Sequence, residues 1–362
     1  MKTSLFDYVL PKDLIAQNPP QKRGSTRLLV LDRSSGKIKH RFYSNIPDYV
    51  RDGDVVVLNR TKVMKARLRA KVVRTGKSVE VLMLERMSDS HGEEVWHCLI
   101  GGAKRVRIED ELQIGSDNIV ILQRDERERG FVVQIHDAMS VMSRHGHVPL
   151  PPYIKRKDTK NDEVRYNTIF AQNLESVATP TASLNLTETL LREIENKGAV
   201  IVYVDLVVGL GTFASVDTEH VEDFKIHHEH ITVSSAAAQK INEGTGRVWA
   251  FGTTVVRTLE SVAVSKGKVT AFEGETDLFI YPGFEFNIAD VLVTNFHMPG
   301  TSLVMLVSAF AGREHVLHAY EDAIHEKYAF LSYGDSMLIG DFEKALGMVN
   351  GTCTREKSGT RA

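Results

Sequence analysis

Residues 247–261, "RVWAFGTTVVRTLES", place a strand-like run directly before a helical one. The apolar "RVWAFG" has the length of a buried strand, whereas "TVVRTLES" repeats its apolar residues at helical spacing. The same alternation continues on both sides, with "LLREIENKG" before "AVIVYVDLVVGLG" and "VLVTNF" before the apolar "TSLVMLVSAFAG". Alternating strands and helices are typical of layered domains. The sequence therefore predicts an α/β domain in which "TSLVMLVSAFAG" is a buried helix.

A different periodicity fills residues 66–137, where apolar and polar residues alternate in short runs such as "ARLRAKVV" and "FVVQIHD". Turn signals such as "RTGKS" and "IGSDN" separate the runs. This pattern predicts an antiparallel β-barrel. We therefore expect a discontinuous α/β main domain at residues 1–65 and 150–350, an inserted β-barrel domain at residues 66–149, and a flexible C-terminal tail at residues 351–362.

The composition is that of an ordinary soluble protein: 362 residues, 42% hydrophobic and 25% charged. A formal net charge of −2 excludes a globally basic nucleic-acid binder, although local basic patches remain open. Cys98 and Cys353 form neither a metal-binding nor a disulfide spacing. The N-terminus lacks the apolar core of a signal peptide, and no run is long enough to span a membrane. We expect a monomeric cytoplasmic protein.

Three segments join a strand end, a short turn and a helix start, which is where α/β sheets bind ligands. In the first, "VVGLGTFAS", Gly209 and Gly211 fit the dinucleotide pattern G-x-G-x-x-[GA]. This raises a dinucleotide-dependent oxidoreductase as one alternative. The following "SVDTEHVEDF" lacks the apolar face of the helix that such a fingerprint needs, so the pattern is weak by itself.

The second and third segments offer groups for a polar ligand. Thr253 and Thr254 begin a helix that places Arg257 on the same face, an arrangement suited to a carboxylate or phosphate. The alternative is a structural helix whose Arg257 makes an internal ion pair. In "TNFHMPGTSL", His297 follows a strand and could act as a general acid or base, or could be a structural histidine.

The stretch "SVATPTASLNLTETLL", residues 176–191, is poor in bulky side chains before it enters a helix. Thr187 is the predicted N-cap, and Gly198 the predicted end of the helix. Such a loop either lets a ligand approach its backbone or caps its own backbone with hydroxyls. In "KIHHEHITV", strand alternation puts His227 and Glu229 on one face and His228 and His230 on the other, which disfavours a metal site.

Basic residues are concentrated between Arg60 and Lys77, where eight Lys or Arg occur without an acid. Two smaller groups follow at residues 104–107 and 155–157. Such runs are either solvated strand faces or a stripe for a phosphate backbone. We take the second interpretation and expect tRNA-type contacts from a set on the first run: Lys62, Lys65, Arg67, Arg69 and Lys71.

Motifs spread along nearly the whole chain resemble the S-adenosylmethionine:tRNA ribosyltransferase-isomerase family of queuosine biosynthesis. They occur in the family's order: "FDYVLPKDLIAQNP", "HGHVPLPPYI", "RYNTIFA", "VGLGTF", "GTTVVRTLES", "GETDLFIYPGFEF", "TNFHMPGTSLVMLVSAFAG" and "YGDSMLI". So many ordered matches are highly specific. They displace the dinucleotide interpretation of Gly209 and Gly211.

The resemblance implies an enzyme that uses S-adenosylmethionine as a ribosyl donor and co-substrate. The implied acceptor is 7-aminomethyl-7-deazaguanine in the anticodon loop of tRNA, and the product is epoxyqueuosine-tRNA with release of adenine and methionine. Neither a metal nor a redox cofactor is needed. We assign proton transfer to His297 or to the pair His227 and Glu229. The expected substrate-binding residues are Tyr166, Pro180, Thr181, Thr187, Gly209, Gly211, Thr212, Gly252, Thr253, Thr254, Arg257 and Asn295.

Two motifs depart from the family pattern. In residues 176–191, Thr179, Ser183, Asn185 and Leu186 stand where Ala, Gly, His and Phe are expected. Elsewhere, Arg60 replaces an acid, Lys65 a proline and Phe224 a histidine. An active enzyme is our first expectation, because the other motifs are retained. A non-catalytic tRNA- or nucleotide-binding relative is the alternative.

Overall fold

The computed structural model describes residues 1–90, 93–125, 130–209 and 216–342. Within these ranges the helices are α1 Ala138–His145, α2 Lys160–Arg165, α3 Glu188–Asn196, α4 Ser235–Glu243, α5 Thr253–Ser261, α6 Ser302–Ala311 and α7 Arg313–His325. The first ten strands are β1 Arg27–Asp32, β2 Ile38–Phe42, β3 Val55–Asn59, β4 Thr61–Val63, β5 Arg67–Val72, β6 Ser78–Ser90, β7 Glu93–Gly101, β8 Glu111–Ile114, β9 Asp117–Asp125 and β10 Gly130–His136. The others are β11 Asn173–Ser176, β12 Val200–Leu206, β13 Glu229–Val233, β14 Val248–Phe251, β15 Ala263–Ser265, β16 Lys268–Val269, β17 Phe272–Thr276, β18 Val291–Asn295 and β19 Ser336–Gly340.

The main body is built on a nine-stranded sheet with the order β17-β13-β12-β3-β14-β18-β19-β1-β2. Strands β12, β3, β14 and β18 are parallel, and β18 pairs antiparallel with β19. The central strands β3, β14 and β18 are buried along their whole length. Because their carboxyl ends meet at one edge of the sheet, the loops that follow them converge there.

Both faces of this sheet are covered, as the apolar runs of its strands require. Val55 and Val57 of β3 point toward the side on which α4, α5, α6 and α7 pack. Val56 and Leu58 point to the other side, which α3 covers. The predicted α/β layers and the buried helix in "TSLVMLVSAFAG" are therefore confirmed, with α6 packed into the first of these two cores.

The second unit is a closed barrel of six strands in the order β10-β7-β6-β5-β8-β9. On β5, Leu68, Ala70 and Val72 fill the interior, and the alternate residues face outward. Helix α1 contributes Ala138, Val141 and Met142 to the same core. The predicted antiparallel barrel is confirmed, whereas the domain boundaries remain a prediction.

The chain enters and leaves the barrel at one place. Arg67 and His147 exchange two backbone hydrogen bonds, of 3.2 and 2.9 Å, at the base of β5. Tyr333 on the main body donates to the fully buried carboxylate of Asp162, which also accepts from Arg156 in the segment after the barrel. Burial by itself would raise the pKa of Asp162. The pKa is nevertheless lowered, because Arg156, Tyr333 and Thr159 donate hydrogen bonds to the carboxylate. The return segment is thus fixed to the body.

No helix in the described ranges combines the length and the apolar character needed to traverse a lipid bilayer.

Candidate active site

A cavity, called here the first cavity, opens at the carboxyl ends of β14 and β18. Three segments form its walls: the loop at residues 179–182, the start of α5 at residues 252–254, and residues 294–298 at the end of β18. The parallel pairing of β14 with β18 brings the second and third segments together, and the first follows β11, which pairs with β4 in a separate two-stranded sheet. The position is the usual one for ligands in open α/β sheets.

The start of α5 supplies unused polar groups. Gly252 is the N-cap with a φ of 107°, a conformation that favours glycine. The first N–H groups of a helix have no acceptor within it, so those of Thr253 and Thr254 are available to a ligand. The hydroxyl oxygen Oγ1 of Thr254 is buried and has no hydrogen-bond partner among the described residues. This end of α5 is suited to a polar ligand.

The end of β18 places Asn295 and His297 in the same cavity. Asn295 donates to the carbonyl of Asp335 at 3.3 Å, while its buried Oδ1 has no partner in the described part of the chain. The imidazole Nε2 of His297 lies 2.8 Å from Oγ1 of Thr294. The backbone carbonyl of His297 accepts a hydrogen bond from the hydroxyl of Tyr8.

Burial controls the charge of His297, which is 7% exposed. Removal from water disfavours the imidazolium and lowers the pKa of His297 to about 3. The ring is therefore neutral at physiological pH. It can donate or accept a hydrogen bond there, but it is a weak base.

The loop at residues 179–182 is anchored by hydroxyl groups at its start. Ser176 Oγ lies 2.6 Å from Thr61 Oγ1 and accepts from the backbone N–H of Val208. Thr179, Pro180 and Thr181 line the first cavity, and the buried hydroxyl of Thr179 has no partner among the residues described. Of the four departures from the family pattern in this stretch, Thr179 alone lines it.

The other three departures, Ser183, Asn185 and Leu186, are buried and line neither this cavity nor the one described next. Leu186 packs against the core beneath α3. Thr187 has the predicted capping role, because its side chain accepts from the backbone N–H of Leu190 at 3.1 Å. Thr187 lies outside both cavities, and the expectation that it also contacts substrate remains a prediction.

A second cavity adjoins the first, and Leu303 lines both. It contains Arg257 of α5, Gly209 after β12, and the segment His227, His228 and Glu229 at the start of β13. Arg257 donates to the carboxylate of Glu229 and, from Nε, to the carbonyl of Leu278 at 3.0 Å. The internal ion pair considered for Arg257 is present.

The expected separation of His227 from His228 by strand alternation is wrong, since both line the second cavity. The reason is that β13 begins only at Glu229, so the two histidines precede the strand. His230 is exposed. In the part of the chain that the structure describes, no group of three potential metal ligands is present.

One further expected substrate residue, Tyr166, lies elsewhere. Tyr166 is fully buried in a small cluster with Tyr333, at a ring-centroid distance of 5.7 Å, and does not line either cavity. Gly211 and Thr212 lie outside the described residues. The sequence interpretation missed Tyr153 and Ser332, which line the first cavity and lie 2.6 Å apart through their oxygens. Tyr153 belongs to the motif "HGHVPLPPYI", and this motif is the sequence feature that could have identified it as a site residue.

Several arginines of the basic run are paired with acids from other segments. Arg60 makes a bidentate ion pair with Asp205. Nη1 of Arg67 lies 2.9 Å from Oε1 of Glu80. Lys65 lies 4.0 Å from Glu163. The remaining members of the expected tRNA-binding set, Lys62, Arg69 and Lys71, are exposed, and no ion pair involves them in the described ranges.

Comparisons with known proteins agree on one family. A family model described as "Queuosine biosynthesis protein" matches residues 3–339. A protein of Sulfurihydrogenibium sp. is 46% identical over 94% of this chain and 100% of its own length. A protein of Halothermothrix orenii is 43% identical with the same coverage. Both are named S-adenosylmethionine:tRNA ribosyltransferase-isomerase.

A solved structure is also similar. The crystal structure of S-adenosylmethionine tRNA ribosyltransferase from Thermotoga maritima is 34% identical in sequence, with a TM-score of 0.53. The match covers 93% of this chain and 100% of the other. The similarity in sequence and in structure thus extends over both the α/β body and the barrel.

Proposed function

Since this chain belongs to the queuosine biosynthesis protein family, we infer that it is an S-adenosylmethionine:tRNA ribosyltransferase-isomerase. In the reaction that we propose, the ribosyl group of S-adenosylmethionine is transferred to 7-aminomethyl-7-deazaguanine in the anticodon loop and isomerised. Adenine and methionine leave, and the tRNA carries epoxyqueuosine. S-adenosylmethionine is thus a co-substrate.

The first cavity is the proposed site for the nucleoside part of S-adenosylmethionine. The observation that carries this assignment is that one cavity is lined by three buried polar atoms for which the described residues supply no partner: Thr179 Oγ1, Thr254 Oγ1 and Asn295 Oδ1. Leaving such an atom unsatisfied costs about 1–3 kcal/mol. The hydroxyls of a ribose and the edge of adenine would satisfy these atoms.

The chemistry needs a proton acceptor near the 5′ carbon of the donor, because the adjacent sulfonium acidifies the protons on that carbon. The low pKa of His297 makes it a poor acceptor, so we assign it a hydrogen bond to the nucleoside instead. Glu229 is held by Arg257. His227, which lines the adjoining cavity, is therefore our candidate for proton removal.

The tRNA surface that we propose is the outer side of β4 and β5. Lys62, Arg69 and Lys71 are exposed there, and Lys65 and Arg67 extend the same run. A stripe of cations attracts a phosphate backbone without reading its sequence. A tRNA substrate supports action in the cytoplasm. We also propose that the enzyme acts as a monomer.

Adenine release tests this function. The purified protein is mixed with S-adenosylmethionine and an anticodon stem-loop that carries 7-aminomethyl-7-deazaguanine, and adenine is measured by chromatography. We expect adenine only with the modified RNA; an unmodified stem-loop is the matched control. RNA binding without adenine would instead favour a non-catalytic relative.

A further inference from the structure

The buried guanidinium of Arg257 has one unused nitrogen. The residue is 6% exposed, its Nη1 donates to Glu229 and its Nε to the carbonyl of Leu278. The remaining Nη2 is buried and has no hydrogen-bond partner among the described residues. Because a buried guanidinium nitrogen normally donates to an acceptor, the second cavity is suited to a ligand that brings an oxygen to Arg257.

The charge around Arg257 restricts what that ligand can be. Glu229 already neutralises the guanidinium, so a bare anion such as phosphate would be repelled by the adjacent carboxylate. A ligand with both a carboxylate and an ammonium group fits better, with the carboxylate on Arg257 and the ammonium toward Glu229. A zwitterionic head placed against an ion pair leaves no uncompensated charge.

Besides Arg257 and Glu229, the second cavity has a polar part, lined by His227, His228 and Ser302, and an apolar part. The side chains that complete its wall share an aliphatic or aromatic character: Ile226, Phe279, Ile280, Leu303 and Leu306. Phe224, which stands where the family pattern has histidine, packs against Phe279 at a ring-centroid distance of 5.5 Å. The apolar part of the lining therefore suits the apolar side chain of an α-amino acid.

The two cavities are lined by neighbouring residues of the same segments. Thr254 lines the first cavity and Arg257 the second, three residues apart, which corresponds to about 4.5 Å along a helix axis. Likewise, Val208 lines the first cavity and the next residue, Gly209, lines the second. Leu303 lines both cavities. One ligand with a nucleoside at one end and an amino acid at the other can therefore occupy both.

We propose that the second cavity binds the methionine part of S-adenosylmethionine, with its carboxylate on Arg257 Nη2, and holds L-methionine after transfer. This proposal rests on the inferred function of the first cavity. It assigns Arg257 to the amino-acid end of the donor and leaves the start of α5 to the nucleoside.

The test compares ligands on the wild-type protein, so it does not depend on a variant folding. Calorimetry is performed with S-adenosylmethionine and with its decarboxylated form, which lacks only the carboxylate. We expect decarboxylated S-adenosylmethionine to bind about tenfold more weakly or worse, as for loss of one charge-assisted hydrogen bond. Equal affinity for the two would overturn the proposal.

A variant pair then locates the effect. Arg257→Gln should weaken S-adenosylmethionine about tenfold and leave the decarboxylated form within about twofold, because the partner of the carboxylate has gone. Thr254→Val, in the first cavity, should weaken both ligands by the same factor. If Arg257→Gln weakened both ligands equally, Arg257 would not contact the carboxylate.

Saturation-transfer NMR with L-methionine and L-methioninol separates this proposal from the function on which it rests. Binding of L-methionine but not of L-methioninol supports the amino-acid site even if no adenine is released, and in that case only the inferred reaction fails. Adenine release without any discrimination between the two probes would retain the function and reject the site.

Discussion

The imidazole of His297 is held in a neutral state by its surroundings, with consequences for stability as well as for catalysis. Its pKa is about 3 in the folded protein against about 6.5 in an unfolded chain. Between these values the unfolded state binds the additional proton. Folding stability therefore falls as the pH decreases from 6.5 toward 3.

His297→Gln should remove this acid sensitivity. Between pH 7 and pH 5, the loss of unfolding free energy should be smaller than in the wild type by about 2 kcal/mol. Urea unfolding at the two pH values measures the difference. His318→Gln, at an exposed position on α7, is the control and should behave as the wild type does. An unchanged pH dependence in His297→Gln would show that the imidazole is hydrated.

His227 is the residue on which the proposed proton transfer depends. His227→Gln should lower kcat by about 100-fold or more, the usual contribution of a general base, and should leave the affinity for S-adenosylmethionine nearly unchanged. Adenine release under saturating substrate measures kcat. His230→Gln, on the exposed side of β13, should retain activity. Full kcat in His227→Gln would remove it from the mechanism.

Residue-level contacts were the part that the sequence predicted least well. Arg257 and Glu229 are separated by 28 residues, and an internal ion pair, with no partner identified, was one of two alternatives for Arg257. Arg60 belongs to a run without acids, yet it pairs with Asp205, 145 positions later. Local composition cannot show such pairs, because the partners come from strands that the fold brings together.

At the level of elements, local rules were more informative. The predicted N-cap of α3 at Thr187 is confirmed, and the helix ends at Asn196, two residues before Gly198 with its φ of 86°. The start of α5 at Thr253 is also as predicted. Capping and periodicity depend on neighbours within four residues, so the sequence contains them directly.

Thr187→Ala should lower the unfolding free energy by about 1 kcal/mol, because the hydroxyl that caps α3 is lost. Thr189→Ala, an exposed position within the same helix, makes the same chemical change without removing a cap and should be neutral. Thermal or urea unfolding compares the two. If Thr187→Ala lost adenine release without losing stability, Thr187 would contact substrate, as the sequence interpretation also expected.

The outward side of β5 carries the proposed tRNA contacts. The double variant Arg69→Ala and Lys71→Ala should bind tRNA more weakly and show a salt dependence reduced by about one unit of slope per lost phosphate contact. Lys240→Ala with Lys266→Ala removes the same charge from exposed positions of the main body and is the control. Binding titrations at several salt concentrations measure the slope of log affinity against log salt concentration. An unchanged slope would exclude β5 from the interface.

At the scale of the whole molecule, two periodicities in one chain predicted an α/β body and an antiparallel barrel, and both are present. The order of the nine strands could not be predicted, because it depends on which loops cross the sheet. That order brings residues 252–254 and 294–298 to one opening, which residues 179–182, after β11 of a separate two-stranded sheet, also line. The departures from the family pattern at Asn185 and Leu186 are buried and do not line this opening.

The central claim is that one molecule of S-adenosylmethionine spans the two adjoining cavities. A crystal structure of the protein soaked with S-adenosylmethionine in the absence of tRNA tests it most directly. We predict the nucleoside between Thr179, Thr254 and Asn295, and the methionine carboxylate on Arg257. Density for the ligand against the barrel, or a nucleoside end in the cavity of Arg257, would contradict this account.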